Sequence, residues 1–120
     1  MVIRGIGVDI IELDRIKQSI KRKERFVQRI LTEREQERYR TLNEKRKVEY
    51  LAGRFAAKEA FAKAAGTGIG KLGFRNVEIL SDEKTGAPLM KGEGYENYRI
   101  WISISHSTDH AIAQVVLEEC

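Results

Sequence analysis

The chain opens on a dense apolar run, Val2-Ile3-Arg4-Gly5-Ile6-Gly7-Val8-Asp9-Ile10, rich in β-branched residues and broken by glycines where backbone or ligand can come close. This pattern predicts a short buried strand over residues 3–10, with Asp9 at its exit. From Glu12 the period changes: Leu13, Ile16 and Ile20 recur at helical spacing while Arg15, Lys17 and Lys21 take the other face. Phe26, Val27, Ile30 and Leu31 predict a further short turn of helix. Thr32-Glu33-Arg34-Glu35 has the form of a capping box, in which the threonine accepts from a free helix N–H and the glutamate reaches back. A charged helix follows to about Leu42. Asn43 can cap the next and longest helix, which runs through Tyr50, Leu51, Phe55, Ala56 and Ala60 to Ala65 and stops at Gly66.

Past the glycines the pattern turns to period two. Val77-Glu78-Ile79-Leu80 alternates as a strand, residues 82–86 supply a turn, and Pro88-Leu89-Met90 resumes extended structure at an edge, so a hairpin is the simplest connection. Ile100, Ile102 and Ile104 lie on one face of a strand over residues 99–105, and after the polar turn Ser107-Thr108-Asp109-His110 a last strand covers residues 111–117. The expected fold is a single α+β domain, residues 1–120, with an antiparallel sheet packed by the long helix.

Composition changes this picture little. Of 120 residues, 42% are hydrophobic and 33% charged, a balance that fits one domain with a real core. No apolar stretch approaches the length of a membrane span, and the N-terminus shows no secretory pattern, so no membrane association and a cytoplasmic location are expected. A single cysteine, Cys120, offers no internal disulfide and no structural zinc set. Charge is more telling. The net charge is +4, and between Arg15 and Arg34 the residues Lys17, Lys21, Arg22, Lys23, Arg25 and Arg29 face only Glu24 and Glu33. Such a field favours an acidic partner: a nucleic acid, a phosphate ligand or an acidic protein.

The candidate chemistry lies on the long helix. Glu59 and Lys63 are four apart and share a face. Asp9 is a charge that an ordinary core strand has no reason to keep. If the fold brings Asp9 beside Glu59, two hard oxygen donors with open positions suit Mg2+ and imply a phosphate-bearing substrate. The plain reading of Lys63 is a surface salt bridge to Glu59, worth about 0.2–0.5 kcal/mol. Yet Arg54, Lys58 and Lys63 stand on a helix otherwise made of Ala and Phe, and cations on a packed helix tend to meet an anion. Residues 68–73 spell G-x-G-x-x-G, but a helix precedes and a strand follows, the reverse of the dinucleotide-binding order. The segment reads equally as a flexible loop or as one that contacts phosphate through glycine backbone. Ser103-Ile104-Ser105-His106 ends a strand; adjacent strand residues point to opposite faces, so His106 reads first as a hydrogen-bonding strand-end residue rather than a partner of Ser105. A small basic nucleic-acid-binding module is the alternative from another class, but it leaves Asp9 unexplained and offers no clustered stacking platform.

Gly5-Ile6-Gly7-Val8-Asp9-Ile10, the run from Leu51 through Gly53-Arg54-Phe55-Ala56-Ala57-Lys58-Glu59 to Phe61, the loop Gly66-Thr67-Gly68-Ile69-Gly70 and Ser103-Ile104-Ser105-His106 together resemble, in order and across the chain, the holo-[acyl-carrier-protein] synthases. These are the short bacterial class of 4′-phosphopantetheinyl transferases. The resemblance implies a homotrimer with active sites in clefts between subunits. It also implies transfer of the 4′-phosphopantetheine arm of coenzyme A to a serine of an acidic apo acyl carrier protein, in fatty acid biosynthesis, with release of adenosine 3′,5′-bisphosphate. By motif match Asp9 and Glu59 hold Mg2+, Lys63 neutralises charge near the reacting phosphates, and either Glu59 or a metal-bound water takes the serine proton. Arg54, Gly66, Gly68, His106 and Lys45 become candidates for binding coenzyme A, and Arg15, Arg25 and Phe26 for docking the carrier, with no nucleic acid as partner. A relative that modifies carrier domains of secondary metabolism is the runner-up among enzymes.

Overall fold

The computed structural model describes residues 2–68 and 72–120. The first strand, β1 (Val2–Glu12), passes without a loop into α1 (Leu13–Arg22). Among the described residues no side chain caps that helix; its entry is held instead by Leu13 N, which donates to Asp109 O at 2.8 Å. After α2 (Phe26–Ile30), Thr32 and Glu35 make the expected reciprocal capping box at the head of α3 (Glu33–Arg40). Asn43 caps α4 (Glu44–Ala65), its side chain accepting from Arg46 N, and Gly66 closes the helix in the left-handed conformation, φ 75°. Both ends of the longest element are therefore set by local chemistry that the sequence announces.

The remaining strands are β2 (Val77–Ser81), β3 (Pro88–Gly92), β4 (Tyr98–His106) and β5 (His110–Glu119). Strands β2 and β3 form the predicted antiparallel hairpin. The other three form an antiparallel sheet in the order β1-β5-β4, with Asp9 opposite Ala113 and Ile104 likewise opposite Ala113 from the other side. Helix α4 lies across this sheet, and the core forms between them from Leu51, Ala56, Ala60, Phe61, Ile11, Val115 and their neighbours.

One expectation needs correcting. Strand β1 is buried on one face only: Gly7 and Ile11 point at α4, whereas Ile6, Val8 and Ile10 are 58%, 50% and 60% exposed. A run of apolar residues on both faces reads like a strand covered on both sides, and periodicity alone does not tell which cover is present in one chain. Trp101 and Ile112 continue this exposed face across the sheet. The reversed order of the glycine motif is as expected, with α4 before it and β2 after it; Ile69, Gly70 and Lys71 lie outside the described residues.

Candidate active site

The site begins with two glycines. A Cβ on Gly5 would overlap the carbonyl oxygen of Ala64, and one on Gly7 the carbonyl oxygen of Ala60. With glycine on the strand and alanine on the helix, β1 settles directly on the backbone of the C-terminal half of α4. The strand's alternation then turns Asp9, two residues on from Gly7, toward the same helix.

Asp9 meets the face that carries Glu59 and Lys63. Lys63 Nζ donates to Asp9 Oδ1 at 3.2 Å and to the Val8 carbonyl at 3.0 Å. The lysine is thus bound across to the strand, and its partner is Asp9 rather than the Glu59 of the same helix. Glu59 is held above the ordinary carboxylate pKa, first by desolvation and then by the negative charge of Asp9; the cations of Lys63 and Arg15 oppose this shift. The two acids, remote in sequence, therefore feel one another through space. Two carboxylates, half-buried and open to solvent on one side, call for a cation. Among the described residues no group of three or more His, Cys, Asp or Glu side chains comes together. A hard cation held by Asp9 and Glu59 would keep positions free for solvent and phosphate oxygens, which is how Mg2+ is usually bound.

Gly66 and Gly68 lie about two turns or more beyond Glu59 in the chain, at and just past the C-terminal end of α4. Both have positive φ, 75° and 74°, a conformation that favours glycine, and among the described residues nothing lies within 4 Å of where a Cβ would be. Arg15 is exposed at the start of α1, close enough to Glu59 to act on its charge. Arg25 is exposed, and Phe26 leans on Phe55 with ring centroids 6.3 Å apart.

Three predicted residues do not join the carboxylates within one chain. Lys45 lies about 21 Å back along the axis of α4 from Glu59, at ~1.5 Å per residue, and lines a groove of about 640 Å³ with Lys17, Lys21, Tyr39 and Val48. Arg54 is turned about 140° around the helix from Glu59; its guanidinium stacks on Tyr50 at 4.1 Å, and its buried Nε has no hydrogen-bond partner among the described residues. His106 Nε2 lies 2.9 Å from the Glu49 carbonyl. A carbonyl only accepts, so this nitrogen carries the proton and the strand-end role holds.

Sequence reasoning missed a buried ion pair. Lys58, the residue before Glu59, donates to Glu35 Oε1 at 2.6 Å and to the Ile30 carbonyl at 2.7 Å, and both side chains are fully buried. Glu35 also accepts from Thr32 N and, through Oε2, from Ile79 N. Burial pushes the Lys58 ammonium below its usual pKa, against the pull of Glu35. The capping box had already assigned Glu35 a local partner, which masked its second role; the signal available was a lysine on a packed helix face.

The model of the 4′-phosphopantetheinyl transferase superfamily matches residues 5–115. A holo-[acyl-carrier-protein] synthase of Oceanobacillus iheyensis is 58% identical over 117 residues, covering 98% of each chain. Another, of a Geobacillus species, is 54% identical over 118 residues with the same coverage. Among solved structures, the fold superposes on a holo-(acyl-carrier-protein) synthase of Bacillus anthracis in complex with CoA (3′,5′-ADP), with TM-score 0.91, 45% identity and full coverage of both chains. It superposes also on the Helicobacter pylori synthase in complex with coenzyme A, with TM-score 0.82, 38% identity and coverage of 94% of this chain and 99% of that one.

Proposed function

This chain belongs to the 4′-phosphopantetheinyl transferase superfamily, and from that premise we propose that it transfers the 4′-phosphopantetheine arm of coenzyme A to a serine hydroxyl of an apo acyl carrier protein. The products are holo carrier protein and adenosine 3′,5′-bisphosphate. The observation that carries the reading is the convergence of Asp9, Glu59 and Lys63, two carboxylates and a cation where a diphosphate would need its charge held.

Attack on a diphosphate demands charge neutralisation and an in-line nucleophile rather than covalent help from protein. Asp9 and Glu59 would hold Mg2+, which when bound supplies Lewis-acid neutralisation of the phosphate oxygens. Lys63 adds an ammonium beside it. A proton must leave the serine; Glu59 is the acceptor this chain offers, since Asp9 is already engaged by Lys63. The open backbone at Gly66 and Gly68 allows the nucleotide end of the substrate to pass close. Arg54, His106 and Lys45 are the remaining substrate-binding candidates, and their distance from the carboxylates on one chain favours a site shared between subunits. The apolar outer face made by Ile6, Val8, Ile10, Trp101 and Ile112 supports the same idea, because a monomer would leave it in water. We assign the assembly as a homotrimer, the location as the cytoplasm and the pathway as fatty acid biosynthesis.

The exposed cations of α1 and the loop after it, among them Arg15 and Arg25, have their partner in an acidic carrier protein, with Phe26 supplying apolar contact. The decisive experiment incubates the protein with coenzyme A, Mg2+ and apo carrier protein and weighs the carrier. A mass gain equal to the prosthetic arm is expected, and it disappears with Glu59→Gln or with a chelator. An unchanged carrier mass for the wild-type chain overturns the reading.

A further inference from the structure

We propose that Lys58 is a positioning residue for carrier-protein recognition: through its paired contacts with the Ile30 carbonyl and Glu35 it fixes the docking segment at α2 relative to Glu59. The inference rests on the assignment of Arg25 and Phe26 to carrier docking. Helix α2 has five residues, too few to hold a place by intrinsic propensity, and its last carbonyls have no partners within the helix. One of them, that of Ile30, accepts a charge-assisted bond of 2.7 Å from the buried Lys58 ammonium. At the other end of α2, Phe26 leans on Phe55, one turn before Glu59 on α4. The docking segment is thus pinned to the catalytic helix at two points, one an aromatic contact and the other an ion.

The carboxylate that pairs with this ion is itself held from three directions. Glu35 Oε1 takes Lys58 at 2.6 Å and Thr32 N at 2.9 Å, and its Oε2 takes Ile79 N at 2.8 Å, so the head of α3 and strand β2 are tied to the same ammonium. Stability alone gives no reason for this arrangement, since an apolar side chain of similar volume often serves a buried site as well as an ion pair does. What an apolar side chain lacks is direction. An ammonium with two fixed acceptors sets where α2 ends, and the next residue in the chain is Glu59. Though Lys58 adjoins Glu59 in sequence, its ammonium is engaged by the Ile30 carbonyl and Glu35 and not by the carboxylates of the site, so its effect is expected on the carrier and not on coenzyme A.

The test compares wild type, Lys58→Met, Phe26→Ala, the double variant and Arg25→Glu in the transfer reaction, varying carrier and coenzyme A separately. Lys58→Met is expected to raise KM for the carrier about tenfold while KM for coenzyme A stays within about twofold. In the double variant the loss in kcat/KM for the carrier is expected to be smaller than the product of the single losses, because both residues act through α2. Equal changes for the two substrates, or independent multiplication in the double variant, overturn the proposal. Arg25→Glu separates the two layers: no rise in carrier KM there removes the docking assignment itself, whereas a rise there with none for Lys58→Met removes only the role of Lys58. Should Lys58→Met fail to fold, Glu35→Gln weakens the same anchor. Amide exchange should then show about tenfold lost protection at Leu31, whose N–H closes α2, with β5 unchanged; uniform loss across the chain overturns the proposal.

Discussion

Glu59 carries a conflict that the free protein bears and a bound cation would relieve. Its carboxyl is raised by desolvation and by Asp9, so between the ordinary carboxylate pKa and the raised folded value the folded chain holds more protons than the unfolded chain. Stability therefore falls as pH rises through that window, and the penalty is complete above it. Glu59→Gln removes the penalty along with the activity: its melting temperature without metal at pH 7 is expected to equal or exceed that of wild type, with the gap closing below about pH 4. Thermal melts at the two pH values decide it; a less stable Gln variant at pH 7 would contradict this account. The neighbouring cation Arg15, which acts on the charge of Glu59, is also a proposed carrier contact. Arg15→Glu is expected to raise carrier KM about tenfold with a much smaller effect on coenzyme A, since reversal in a complementary interface penalises the partner most; equal effects would remove Arg15 from the docking surface. At this scale the sequence singled out Asp9, Glu59 and Lys63, which the fold brings to one face, but its plain reading paired Lys63 with Glu59, because the i, i+4 rule sees one helix and the bond that forms crosses to a strand.

The element that decides the site is α4 against β1. Six alanines of α4, Ala52, Ala56, Ala57, Ala60, Ala62 and Ala64, are buried at 7% exposure or less, and two glycines of β1 meet Ala60 and Ala64 with no side chain between. Gly7→Ala would push the strand from the helix and carry Asp9 away from Glu59. It is expected to cost about 1–3 kcal/mol of stability, as overpacking does, and to weaken divalent-cation binding measured by calorimetry beyond what the stability loss explains. Unaltered cation affinity would show that the close approach does not place Asp9. The helices and the hairpin were legible because their signals are local: a capping box, an asparagine cap, a left-handed glycine, a change of period from 3.6 to two. The packing of Gly7 on Ala60 was not, since glycine in a strand announces a close approach without saying of what.

Across the whole molecule, the chain is covered on one side of its sheet and bare on the other. Ile112 sits on that bare face, 41% exposed, beside Ile10 and away from the carboxylates. Ile112→Glu is expected to give folded monomers in sedimentation with little transferase activity, while wild type sediments as an oligomer; a wild-type monomer, or an active monomeric variant, would end the shared-site reading. The amino-acid order by itself determined the main elements, the caps of α3 and α4, the α+β class and the two acids worth watching, because each of these depends on neighbours within a turn or two or on a motif that survives intact. Only the tertiary structure decided that Lys63 reaches Asp9, that Lys58 is buried on Glu35 and Ile30, and that one face of β1 lacks cover. Those facts depend on which surfaces meet, and contacts between residues tens of positions apart leave no periodic trace in the chain.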